Sequence, residues 1–152
     1  MTSRYFEDWT EGEVVETRGA TLTESQIVDF AMLYDPQPMH IDKSVAEVGQ
    51  FEGLIASGFQ TVALSFRLFY DLGYLTQSNI IGVGLDEVRW TAPVRPGDTL
   101  RCRVEVVSLK ESRSKRDRGT MVFKLTALNQ HGTEVMSFHS TCMLRKKAAA
   151  AG

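Results

Sequence analysis

The stretch from Ser57 to Leu72 carries Phe59, Val62, Ala63, Leu64, Phe66, Leu68, Phe69 and Leu72, apolar positions that fall nearly all the way around a helix. A helix apolar on most sides is an interior helix, so the rest of the chain must be able to enclose it. The enclosing material lies downstream. Leu100, Cys102, Val104 and Val106 alternate along one segment, Met121, Phe123, Leu125 and Ala127 along a second, and Met136, Phe138, Cys142 and Leu144 along a third. Ahead of them Ile81, Val83 and Leu85 keep one phase while Val88 and Trp90 keep the other, which predicts a strand with a bulge at Asp86-Glu87. Pro96-Gly97 supplies a turn. The set reads as a meander of antiparallel strands, with a short additional strand near residues 13–17.

One apolar helix and four or five antiparallel strands have one economical arrangement, in which the sheet curls around the helix and buries it on the concave side. The expected class is therefore α+β, a hot-dog fold, as a single domain over residues 1–146 with a frayed tail at 147–152. Open sheet edges favour pairing with a second copy, so a homodimer or higher homo-oligomer is expected. With 17 Lys+Arg against 19 Asp+Glu the net charge is −2, which argues against a generally basic nucleic-acid binder. The 43% hydrophobic and 24% charged content is that of an ordinary globular protein. No window approaches the roughly 18–20 apolar residues of a membrane span, and residues 1–8 lack the apolar core of a signal peptide. A cytoplasmic protein without a membrane partner is expected. Cys102 and Cys142 read as reduced core residues.

Upstream of the interior helix, Thr21-x-x-Glu24 and Thr23-x-x-Gln26 each offer a capping box, so a helix begins near residues 21–23. Ile27, Phe30, Ala31 and Tyr34 would form its buried face. Pro36 and Pro38 stop it, and residues 35–40 are expected to form an irregular turn. A short helix follows at 43–48 and breaks at Phe51-Glu52-Gly53.

The chemistry-bearing residues gather on that stiffened turn. Asp35 and His40 place a carboxylate and an imidazole five residues apart. Alone, this pair is equally compatible with a capped turn. Ser57 and Gly58 open the interior helix, where backbone amides lack intrahelical partners and the glycine lets a carbonyl approach them. A base, an acid and an oxyanion-stabilising amide are the parts needed for acid–base chemistry beside a carbonyl. Close packing of the helix start would equally explain Gly58. Asp35, His40 and Asp42 lack the supporting histidine or cysteine cluster of a metal site, and no metal is expected. His131 and His139 receive no role, and Arg89 and Trp90 read as sheet-packing residues.

Asp35-x-Gln37-Pro38-x-His40, followed by Gly53-Leu54-Ile55-Ala56-Ser57-Gly58, resembles the signature of the MaoC-like, R-specific enoyl-CoA hydratases, usually written Asp-x-Asn-Pro-x-His with a downstream glycine at the central helix. The resemblance extends through Arg89-Trp90-x-x-Pro93-Val94-x-Pro96-Gly97-Asp98 to the last strand. It implies a hydratase/dehydratase acting at the double bond of an enoyl thioester, with coenzyme A as the expected carrier and no cofactor. Asp35 and His40 would be the catalytic pair, the Gly58 amide would bind the thioester carbonyl, and Ser57 and Gln37 would shape the site. Gln37 departs from the usual Asn, which leaves open a branched, hydroxylated or dicarboxylic acyl group. The loop from Lys110 to Gly119 carries five basic and two acidic residues; it suits either coenzyme A phosphates or a solvated hairpin tip. A hot-dog thioesterase and a non-catalytic acyl-CoA-binding module are the alternatives.

Overall fold

A computed structural model describes residues 2–147. A 3-10 turn at Phe6–Asp8 precedes β1 (Val14–Glu16), β2 (Ala20–Thr21), α1 (Glu24–Tyr34), α2 (Pro38–Ile41), α3 (Lys43–Glu47) and α4 (Gly58–Tyr70). Then come β3 (Asn79–Trp90), β4 (Thr99–Glu111), β5 (Arg118–Leu128) and β6 (Glu134–Arg145). The sheet is antiparallel in the order β1-β4-β5-β6-β3, and β2 also pairs with β4.

β4, β5 and β6 are consecutive neighbours, as the alternation predicts. β3 is not the first member of that meander; it joins the far edge, beside β6. Pro93 and Pro96 lie in its connection to β4, and residues without a backbone donor do not build the tight ladder of a β3–β4 hairpin. The expected bulge is present, with the register slipping between Asp86 and Arg89 and Glu87 at φ 51°. The Pro96-Gly97 turn is also present, with Gly97 at φ 87°.

Register places Val104, Leu125 and Phe138 in one row across the sheet, all fully buried. α4 packs on this face: the Phe69 and Phe123 rings are 5.0 Å apart, and the Cys102 thiol donates to the Ser65 carbonyl at 3.7 Å. Both cysteines are free and buried, and burial pushes the thiols up to about 11 for Cys102 and about 12 for Cys142. Neither is a reactive thiolate at neutral pH.

α4 differs from a simple interior helix. Its buried face mixes Ser57, Gln60, Thr61 and Ser65 with Leu68 and Phe69, while Phe59, Phe66 and Tyr70 are exposed. The sheet encloses one side of the helix only. In α1, Ile27 and Ala31 are buried as expected, but Phe30 is half-buried and Tyr34 is 70% exposed, their rings in tilted contact at 5.2 Å. The last turn of this helix runs past the core, and an i,i+4 aromatic contact replaces burial.

The first and last described segments meet at the end of the sheet where β5 begins. The Phe6 ring occupies the space that a Cβ on Gly119 would need, 2.3 Å from that ideal position. The Lys147 amide donates to Glu7 at 3.2 Å and its ammonium pairs with Asp8. Lys147 is thus anchored, and the remainder of the expected tail lies outside the described residues. Among the described residues no helix is long and apolar enough to cross a membrane.

Candidate active site

Thr23 caps α1, and its hydroxyl accepts from the Gln26 amide while the Gln26 side chain accepts from the Thr23 amide. The helix then runs to Asp35, where Pro36 ends it. Residues 35–40 are not wholly irregular: Pro38 is the first residue of the single turn α2, where a missing N–H has no consequence and the fixed φ favours helix. That turn carries His40 back toward Asp35.

The two side chains meet with His40 Nε2 3.4 Å from Asp35 Oδ2, and both residues are buried. Nδ1 of His40 lies 2.7 Å from the carbonyl oxygen of Ile55. A carbonyl can only accept, so Nδ1 carries a proton, and the ring is turned so that Nε2 faces Asp35. Both carboxylate oxygens of Asp35 are engaged: Ser57 Oγ donates to Oδ2 at 2.6 Å and Gln37 Nε2 donates to Oδ1 at 2.7 Å. The Ser57 hydroxyl is the main reason that the Asp35 carboxyl lies below its ordinary range. The Gln37 amide and the nearby His40 act in the same direction, while burial opposes them.

Ser57 also caps α4, accepting from the Phe59 amide at 3.2 Å, so one hydroxyl ties the start of the helix to the carboxylate. The Gly58 amide has no acceptor among the described residues. The indole of Trp90 explains the glycine: a Cβ at position 58 would stand 2.3 Å from Trp90 Cε2, and Trp90 Nε1 donates to the Gly58 carbonyl at 3.0 Å. Close packing and an available amide are therefore both true of Gly58.

Asp35, Gln37, His40 and Gly58 line one cleft of about 460 Å³, and Ser57 stands behind it, bonded to Asp35. Phe51, Ile55, Phe59, Trp90 and Val94 supply apolar walls. All five residues proposed from the sequence are thus brought together. Trp90, assigned to sheet packing, is a cleft residue, 52% exposed and edge-on to Phe59 at 6.2 Å. The basic hairpin joins β4 to β5 at the Arg118–Arg145 end of the sheet, whereas Trp90 pairs with Met136 near the other end. Within one chain it cannot reach the cleft.

A carboxylate and an imidazole converging beside a free helix-terminal amide can hold a water, move its proton and polarise a carbonyl. Residues 7–128 match the family model described as a MaoC like domain.

The chain belongs to the MaoC-like dehydratase family.

This MaoC-like domain is 31% identical to Bacillus subtilis YdeM over 92% of its own length and 98% of that protein. It is 30% identical to the mesaconyl-CoA hydratase of Cereibacter sphaeroides, spanning 97% of its own length but 43% of that enzyme. Among solved structures, a MaoC-like dehydratase from Rhodospirillum rubrum superposes with a TM-score of 0.87 at 31% identity, covering 94% of this chain and 97% of the other. A Mycobacterium tuberculosis protein with a double hot-dog fold superposes with a TM-score of 0.81 at 20% identity, covering 95% of this chain and 45% of the other, a likeness of fold. The MaoC-like domain is accordingly an α+β hot-dog.

Proposed function

We propose that the protein hydrates trans-2-enoyl thioesters, and catalyses the reverse dehydration, with coenzyme A as the carrier. The observation that carries this reading is the placing of the Asp35–His40 pair and the free Gly58 amide in one cleft. The thioester carbonyl accepts from the Gly58 amide, which stabilises the enolate-like charge that forms when the β-carbon is attacked. A water held between Asp35 and His40 gives its proton to His40 Nε2 as its oxygen bonds to the β-carbon. The imidazolium, stabilised by the adjacent carboxylate, then delivers a proton to the α-carbon. One H and one OH are added, both from the same side.

The test is a panel of enoyl-CoA thioesters followed by loss of the conjugated enoyl absorbance, with free thiol measured in parallel. Absorbance loss without thiol release is the expected result. Thiol release would favour a thioesterase, and binding without either signal a non-catalytic module.

The assembly we propose is a homodimer across α4 and β3. Phe66 on α4 and Ile81, Val83 and Leu85 on the edge strand β3 are exposed, and a groove between the two elements is lined by Val62, Ala63 and Phe66 with Val83 and Leu85. An unpaired strand edge beside an apolar patch is a surface suited to a second copy. The exposed Phe59 and Trp90 lie on the same two elements and line the cleft, so the interface would border the site.

A further inference from the structure

We propose that the acyl group accepted by this cleft is uncharged and that an acyl chain bearing a second carboxylate is rejected; the proposal rests on the hydratase reading above. Recognition of a carboxylate requires an arginine fork, an ammonium or several converging donors. Among the described residues lining the cleft there is no lysine or arginine. Arg95, close by in sequence, directs its guanidinium to the Phe51 carbonyl and stands outside the lining. Most of the neutral side-chain donors are also committed, and Gln37 keeps only the second hydrogen of the amide that holds Asp35. The Ser57 hydroxyl donates to Asp35, the Thr91 hydroxyl to the Glu134 carbonyl at 2.9 Å, the Thr61 hydroxyl to the Ser57 carbonyl at 3.4 Å, and the Trp90 indole to Gly58. The Gly58 amide is a single donor, suited to one thioester carbonyl. Meanwhile Asp35, with both oxygens filled by donors, contributes a fixed negative charge. A second carboxylate on the acyl chain would therefore be desolvated against apolar walls and repelled by the first. The similarity to a mesaconyl-CoA hydratase, whose name denotes a dicarboxylic acyl group, does not carry that acyl group to this site.

The experiment compares crotonyl-CoA with fumaryl-CoA, and 2-methylbut-2-enoyl-CoA with mesaconyl-CoA, each pair differing by a carboxylate in place of a methyl. With the full chain, kcat/KM is expected to be lower for the charged member by on the order of 50-fold, the size of repulsion between like charges several ångströms apart at intermediate dielectric. Equal or faster hydration of the charged members would overturn the proposal while leaving the hydratase reading intact. Hydration of none of the four would remove both. Phe51→Lys adds a cation to the cleft wall and is expected to narrow the charged-to-neutral ratio by about tenfold or more. A ratio unchanged in that variant, provided it still hydrates crotonyl-CoA, would overturn the electrostatic cause.

Discussion

Asp35 and His40 are held by different kinds of partner, and this divides their roles. Two side-chain donors keep Asp35 a carboxylate, whereas a backbone carbonyl fixes the tautomer of His40. Asp35→Asn and His40→Gln are each expected to lower kcat for crotonyl-CoA by about 10²–10⁴-fold with the fold retained, measured by absorbance and checked by circular dichroism. Ser57→Ala removes the main cause of the depressed Asp35 pKa, so the acid limb of the pH–rate profile should move to higher pH. Stability carries the same signature. Because the folded-state pKa lies below the unfolded value of about 3.9, the contribution of Asp35 is complete above that value and is lost as pH falls through the folded one. Urea midpoints should therefore fall with acid more steeply in the wild type than in Asp35→Asn. The pair stood out in the sequence because it sits on a proline-stiffened turn, but its catalytic role was implied only by the resemblance of Asp35-x-Gln37-Pro38-x-His40 to the family signature. The Ile55 carbonyl that orients His40 was not legible there, since a backbone acceptor has no residue type to betray it.

At the scale of elements, the start of α4 and the end of β3 form one unit. Gly58→Ala is expected to destabilise the protein by about 1–3 kcal/mol, because the new methyl must displace the indole of Trp90. In a Trp90→Ala background the same change should be close to neutral, and a double-mutant cycle by chemical denaturation measures that coupling. Trp90 was misread from sequence because alternation along a strand reports which face a residue occupies, not which helix end lies against it. The capping of α1 and the bulge at Glu87 were legible, since each depends on neighbouring residues alone. The turn α2 was hidden because proline both ends helices and begins them. Nor could the place of β3 beside β6 be read from its own pattern, as strand order depends on the path of the connection.

For the whole molecule, the composition of α4 now has a physical reason. A helix apolar on most sides, lying against a sheet on one side only, has a second apolar surface to cover. Val83→Asp or Phe66→Asp is expected to convert a dimer to a monomer in sedimentation velocity, and loss of activity on dissociation would show that the cleft needs its neighbour. The class of fold was legible because a helix of that kind and three alternating segments admit few arrangements. The position of the basic hairpin was not, because distance from the cleft depends on strand register. The meeting of Glu7 and Lys147 carries a consequence for how the chain is threaded. Joining the segment after Lys147 to the segment before Phe6 by a peptide linker and reopening the chain among residues 113–116 would give a circular permutant with every sheet neighbour preserved. Because the new break falls at the end of the sheet away from the cleft, such a permutant should keep its hydration activity, making the order of segments along the polypeptide separable from the chemistry they assemble.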